Sequence, residues 1–328
     1  MRWEKIMPTK RVLGSTNIEV TPIGLGCMQF AGPGLGAQFY PELDGTTIGS
    51  VVKSALDSGI NWFDTAEMYG GGHSERALTT ALRASGTGPS EISIATKWTP
   101  LGRTAGNIAA TIDARISALQ GFPITLHQIH QPFGSFSSQA RQVEAMARLQ
   151  QAGKIAHIGV SNFSARQMER ADGILREQGL RLVANQVQIS LLHRKIEDNG
   201  VLETARRLGI TLIAYSPLKS GLLTGKFHES PDLLGDVRPI RRALGRFNQR
   251  TMARTAPLID ELRKLAAAYG VTPAQIALAW LITYYGDTVV AIPGASKPHQ
   301  ATELGAVMDL RLTEPELTRL AEISAPLN

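Results

Sequence analysis

Four side chains in this 328-residue chain have the types and spacing for proton chemistry: Asp64, Tyr69, Lys97 and His130. Asp64 ends a short apolar run containing Ile60, Trp62 and Phe63, and Tyr69 follows it just ahead of Gly70, Gly71 and Gly72. The pattern predicts a buried strand with a carboxylate at its end, then a tight loop that returns a phenol to the same place. A carboxylate in that setting is costly unless a cation pairs with it. Lys97 ends a later apolar run, 92–97, and His130 ends the next, 126–130. A phenol titrates near pH ~10, too high for efficient proton transfer near neutrality. A buried ammonium beside it favours the phenolate and lowers the pKa, and each unit is worth about 1.36 kcal/mol. Lys97 is the expected source of that shift and Asp64 its ion-pair partner. His130 is placed to hydrogen-bond a carbonyl oxygen and turn it toward Tyr69. Such a set would protonate a carbonyl oxygen as hydride arrives at its carbon.

Positioning these groups falls to a regular alternation of elements. Short apolar runs recur at 23–26, 62–64, 92–97, 126–130, 156–161, 183–187, 212–215 and 289–292. Segments of helical periodicity lie between them, at about 46–58, 74–84, 106–119, 138–152, 164–178, 199–208, 256–283 and 297–307. Thr46, Ser164 and Thr272, the last followed by Pro273, suit helix caps. Strict strand–helix alternation predicts a parallel sheet, and eight units without a composition break predict a closed (β/α)8 TIM barrel. A β-hairpin at 10–20, with its turn at 14–17, precedes the barrel. A long Gly-, Pro- and Arg-rich loop at 219–248 follows the seventh strand, and an extra C-terminal helix at about 313–325 needs an apolar patch to cover. The expected organisation is one α/β domain over 1–328. In such a barrel the carboxyl ends of the strands build the active site, which is where Asp64, Lys97 and His130 stand.

Composition narrows the function classes. Hydrophobic residues make up 43% and charged residues 19%, a globular balance. The single cysteine, Cys27, excludes an internal disulfide framework and a cysteine-ligated metal site. The net charge of +6 comes with scattered arginines and no groove-reading motif, so no nucleic acid is expected as a partner. No apolar run approaches the roughly 18 residues of a membrane helix, and residues 1–20 hold no signal-peptide core. A cytoplasmic protein with a small-molecule substrate, no metal and no membrane partner is expected; its oligomeric state is not readable.

At this point the chain resembles a known family, the aldo-keto reductases. The likeness rests on Asp64-Thr-Ala-x-x-Tyr69, the runs ending in Lys97 and His130, Gly159-Val-Ser-Asn-Phe163 and Asn185-Gln186. It continues through Ala214-Tyr-Ser-Pro-Leu218, Gly221-Leu-Leu-Thr-Gly-Lys226 and Ile292-Pro-Gly-Ala-Ser296, so it spans the chain. The resemblance implies a catalytic tetrad of Asp64, Tyr69, Lys97 and His130, and NADP(H) as cofactor bound in extended form. It implies that Ser161, Asn162 and Gln186 take the nicotinamide carboxamide, that Tyr215 stacks on the ring, and that Gly26 and Met28 lie along the cofactor. It implies that Ser216, Leu218, Gly221 and Lys226 fold over the pyrophosphate. Gly294, Ser296, Lys297, Gln300 and Glu303 are left for the adenosine end.

This chain departs from the family there, with Gln300 where an Arg is frequent and Leu304 where an Asn is frequent. NADP(H) stays preferred, with NAD(H) use not excluded, since no acidic residue is aimed at a ribose 2′-hydroxyl. Met28, Phe30, Trp98 and Gln131 flank the tetrad as an expected apolar substrate pocket, and 31–36 reads as a loop over the mouth. The main expectation is NADPH-dependent reduction of aldehydes or ketones. A second is a cofactor-sensing module resembling potassium-channel beta subunits. A Schiff-base aldolase on Lys97 is disfavoured, because a paired ammonium is a poor nucleophile.

Overall fold

Each of the eight apolar runs is a strand, and the strands lie side by side in chain order in one parallel sheet. The structure, a computed structural model, describes residues 10–33, 40–235, 237, 242 and 247–328. A hairpin of β1 (Arg11–Val12) and β2 (Glu19–Val20) comes first. The barrel strands are β3 (Leu25–Gly26), β4 (Trp62–Asp64), β5 (Ser93–Trp98), β6 (Leu126–Ile129), β7 (His157–Ser161), β8 (Leu182–Gln188), β9 (Thr211–Tyr215) and β10 (Val289–Ala291). The sheet closes on itself where the first barrel strand meets the last. Gly24 N donates to Ala291 O at 2.8 Å, Gly26 N to Pro293 O at 3.0 Å, and Ala291 N to Pro22 O at 2.9 Å. This is the expected (β/α)8 TIM barrel.

Period-two alternation sorts side chains between two cores. Trp62, Ala95, Leu126, Ile213 and Val290 pack together inside the barrel. Phe63, Ile94, Ile129 and Val160 belong to the larger core on the helix side. The helices there are α1 (Gly45–Asp57), α2 (His73–Ala84), α3 (Gly106–Ala118), α4 (Gln139–Gln151), α5 (Ala165–Arg176) and α6 (Val201–Leu208). A short α7 (Lys226–Glu229) precedes α8 (Gln249–Tyr269), α9 (Pro273–Tyr284), α10 (Pro298–Ala306) and α11 (Glu314–Ser324).

Three expectations need correction. Asp44, not Thr46, caps α1, accepting from Thr47 N at 2.7 Å. The single helical segment expected at 256–283 is two helices. Gly270 sits at φ +66° after α8, and Thr272 begins α9 with a reciprocal cap to Gln275, so the chain turns between them. Because α8 starts at Gln249, the stretch expected as a plain loop at 219–248 ends at a helix cap on Asn248, and it carries helical turns at Lys219–Thr224 and Pro231–Leu234. Residues 236, 238–241 and 243–246 of that stretch, and 34–36 of the loop expected over the mouth, lie outside the described residues.

The hairpin seals the amino end of the barrel. Its Leu13 and Val20 join the interior core with Trp62 and Val183, and Gly14 N donates to Thr211 Oγ1 at 2.7 Å. At the other side α11 covers the apolar patch it needs: Leu317 and Leu320 are buried, and Trp280 of α9 donates its indole N–H to Leu317 O at 3.0 Å. Among the described residues no single helix is long and apolar enough to cross a membrane. Gly14 holds φ +57°, and a Cβ there would lie 2.3 Å from Val183 O. Gly14→Ala is therefore expected to cost about 3 kcal/mol, from left-handed strain and the clash together. A urea midpoint equal to that of the parent chain would contradict this account of the plug.

Candidate active site

At the carboxyl end of the barrel Asp64 and Lys97 face inward from neighbouring strands, both buried. The Lys97 ammonium donates to Asp64 Oδ1 and, at 2.7 Å, to Thr65 O. The other carboxylate oxygen, Oδ2, accepts from Gln186 Nε2 at 2.8 Å and Gln128 Nε2 at 3.2 Å. Both oxygens are satisfied, which a buried ion pair requires. Residues 65–72 then fold back tightly: Tyr69 N bonds Ala66 O, and Gly72 N bonds Glu67 O. The return carries the Tyr69 ring to 5.2 Å from Lys97 Nζ. His130, just past β6, stands edge-on to that ring with centroids 5.9 Å apart and planes at 80°. The four side chains picked from the sequence thus converge on one mouth.

Their protonation states follow from burial and neighbours. Lys97 is held above its usual pKa: burial opposes the charge, and Asp64 with Tyr69 more than offsets it. The expected lowering of the phenol does not appear. Burial raises Tyr69 above its ordinary value, and Lys97 pulls it back only in part. The physical reason is that the cation is already neutralised by Asp64, whose charge also acts on the phenol. Tyr69 is therefore a neutral donor. Burial, then the charge of Lys97, push His130 down to about 3, so its imidazole is neutral at physiological pH.

The residues expected around a nicotinamide cofactor divide. Gln186 spends its amide hydrogens on Asp64 and, at 3.4 Å, on Gln128 Oε1, leaving its carbonyl oxygen as the group to meet a carboxamide N–H. Tyr215 donates to Asn162 Oδ1 at 3.0 Å, and Asn162 donates to Ser161 Oγ at 3.0 Å, joining the ends of β9 and β7. Asn162 and Ser216 both hold positive φ, as do Lys219, Ser220 and Gly221 in the turn after β9. Strained backbone of this kind clusters at ligand sites. Leu218 caps that turn and is half-buried, and Lys226 packs its ammonium 4.8 Å from the Phe227 ring. Gly26 and Gly294 pair across the barrel seam, with Met28 half-buried beside them.

At the far side, Ser296 N donates to Gln300 Oε1 at 2.9 Å, so Gln300 caps its own loop. Lys297 is exposed at the start of α10, and Glu303 lies further along that helix. Gln29 supplies a test of fit. Its Oε1 is buried and has no hydrogen-bond partner among the described residues, and the side chain covers Gly294 so closely that a Cβ there would lie 2.1 Å from Gln29 Nε2. An orphaned acceptor over an exposed glycine at the seam suits a bound hydroxyl or amide donor, so these residues fit an extended dinucleotide.

Two of the four residues expected to line a substrate pocket are fully buried. Phe30 and Trp98 are buried in the helix-side core rather than at the mouth, because period two turns Trp98 away from Lys97. Met28 and Gln131 are half-buried. Gln128 has a signal in the sequence: period two puts it on the inward face of β6 with Leu126, two residues before His130. Nothing in the sequence singles out Gln29.

A barrel with a cation-supported phenol beside a neutral imidazole at its carboxyl mouth is the architecture of an oxidoreductase. A profile described as Aldo/keto reductase family matches residues 22–325. An uncharacterized oxidoreductase of Mycobacterium tuberculosis (strain ATCC 25618 / H37Rv) is 38% identical over 302 residues, 90% of this chain and 86% of its own length. An NADP(+) aldo-keto reductase of Schizosaccharomyces pombe is 28% identical across 96% of this chain and 91% of that one. The crystal structure of a thermostable aldo-keto reductase with the inhibitor epalrestat superimposes with a TM-score of 0.74 at 26% identity, covering 96% of this chain and 99% of that one. The chain belongs to the aldo/keto reductase family.

The depressed imidazoles have a stability consequence. His127, on the outer face of β6, is also lowered to about 3, by burial and then by Arg115. A histidine whose folded pKa lies below its unfolded value leaves the unfolded chain binding more protons. Stability therefore falls as pH drops from about 6.5 toward 3, by about 2 kcal/mol per imidazole between pH 7 and 5. Urea midpoints at both pH values are expected to show that loss. His127→Asn is expected to remove its share, and an unchanged slope would refute the assignment.

Proposed function

We propose that the protein reduces aldehydes or ketones to alcohols with NADPH as the preferred donor. The observation that carries this reading is the neutral Tyr69 phenol held against the Asp64–Lys97 pair with His130 beside it. When bound, the cofactor supplies the hydride. His130, neutral, donates a hydrogen bond that aims the carbonyl oxygen at Tyr69. Tyr69 gives its proton to that oxygen as negative charge builds there. An alkoxide is far more basic than a phenolate, so a raised phenol pKa does not impede the transfer. Lys97 stabilises the phenolate that remains, and Asp64 keeps Lys97 charged and in place. In the alcohol-oxidising direction the same groups run in reverse.

Gly26, Met28, Gln29, Ser161, Asn162, Gln186 and Tyr215 would hold the nicotinamide half. Ser216, Leu218, Gly221 and Lys226 would hold the pyrophosphate, and Gly294, Ser296, Lys297, Gln300 and Glu303 would surround the adenosine. The exposed Lys297 at the start of α10 and the NADP(+) relative support NADPH over NADH. A cytoplasmic setting fits a chain whose one cysteine is a buried free thiol.

Oxidation of NADPH and NADH in parallel with a panel of aldehydes and ketones tests the reading. Tyr69→Phe is expected to lower kcat by about 100- to 10,000-fold with NADPH affinity near that of the parent. Unchanged turnover in that variant would remove Tyr69 from the mechanism.

A further inference from the structure

Glu67 lies between Asp64 and Tyr69 in the returning loop, and it is buried without entering the barrel. Its backbone N–H bonds Lys97 O at 3.2 Å, prolonging the pairing of β4 with β5 past the end of β4. Its carboxylate then accepts from Thr99 N at 2.6 Å. The carbonyl of the same Trp98–Thr99 peptide accepts from His130 N at 2.9 Å. One planar peptide group therefore has the loop of Tyr69 on its N–H and the backbone of His130 on its C=O. The Thr99 hydroxyl also lies 3.4 Å from His130 Nδ1.

The carboxylate is built into this position from the other side as well. Arg103 Nη1 donates to Glu67 Oε1 and, at 3.2 Å, to Thr99 O, while its guanidinium lies 5.5 Å from the Trp98 ring. Arg103 Nη2 donates to Thr111 Oγ1 at 3.1 Å, and Arg115 Nη1 is 3.7 Å from Glu67 Oε2. A charged acceptor polarises the peptide it binds and strengthens the hydrogen bond at the peptide's far end.

We propose that Glu67 is a positioning residue that sets the placement of Tyr69 relative to His130 through the Trp98–Thr99 peptide, with Arg103 as its counter-ion. The proposal rests on the carbonyl-reductase reading for its kinetic arm, and stands apart from it in its spectroscopic arm. Misplacement of reacting groups by about 1 Å can cost on the order of 100-fold in rate. Loss of the anchor is therefore expected to appear in kcat and to spare cofactor affinity.

The test compares Glu67→Gln, Glu67→Leu and Arg103→Met in the full chain, each well below its own Tm. Glu67→Gln keeps an acceptor for Thr99 N–H and loses the charge. It is expected to lower kcat by about threefold, and Glu67→Leu by about tenfold or more, with NADPH Kd within about twofold of the parent. The His130 backbone amide and imidazole 15N shifts are expected to move in the same order, and Arg103→Met to resemble Glu67→Gln. Parent-like kcat and His130 shifts in Glu67→Leu overturn the proposal. So does equal loss of kcat and NADPH affinity, which makes Glu67 a generic support of the fold. If Glu67→Leu does not fold, the other two variants decide by the same criteria. If the parent reduces no carbonyl, the reductase reading fails and the His130 shifts alone decide the placement.

Discussion

The constraint on which the rest of the site depends is the burial of one ion pair. Asp64 and Lys97 both lie out of water at the end of a parallel barrel, where an unpaired member would cost about 3–5 kcal/mol. Everything immediately around them answers that cost. Thr65 O takes a second ammonium hydrogen, and Gln128 and Gln186 occupy the second carboxylate oxygen. Because both charges are pinned, their field at Tyr69 and His130 is fixed. Burial, only partly opposed at Tyr69 by Lys97 and reinforced by Lys97 at His130, leaves the phenol and the imidazole each in its neutral, hydrogen-bearing form.

The same strands carry a second polar system on their outer faces. Thr96, next to Lys97, turns outward and donates to Glu75 Oε1 at 2.6 Å, and Glu75 meets Arg115 at 3.3 Å. Burial raises the Glu75 pKa, with Arg115 opposing. Through Arg115 this set touches Glu67, and through Glu67 the loop that carries Tyr69. Inner and outer networks are thus one residue apart along β5, and the pleat keeps their charges on opposite sides of the sheet.

The barrel and the four central side chains were legible because each rests on a local signal. A charged residue closing an apolar run marks a strand end, and strict alternation of elements fixes where strand ends gather. Boundaries failed where a neighbour outvoted the local pattern. Asp44 displaced Thr46 as a cap, and Gly270 with Thr272 split a stretch whose apolar periodicity runs on across the break. Trp98 reads as a pocket residue because proximity in sequence to Lys97 ignores which face the pleat presents, and Phe30 because the sequence does not show that the short turn Met28–Phe30 buries it. The phenol's raised pKa was out of reach for a different reason. Its sign is a contest between burial and a cation already paired, and only coordinates supply both magnitudes.

The seam between β3 and β10 has a consequence for how the chain reaches this state. The strands that close the barrel are two and three residues long, and Pro22 and Pro293 leave the joint with few donors. Closing it ties together residues from opposite ends of the chain, so the loop entropy of nearly the whole protein falls on the weakest joint. The barrel is then a curved sheet until its last strand returns, and Gly26 and Gly294 at that joint are among the residues proposed to hold the cofactor. A ligand spanning Met28 and Ser296 would act as a clasp, holding shut the part of the ring that the backbone alone holds most lightly.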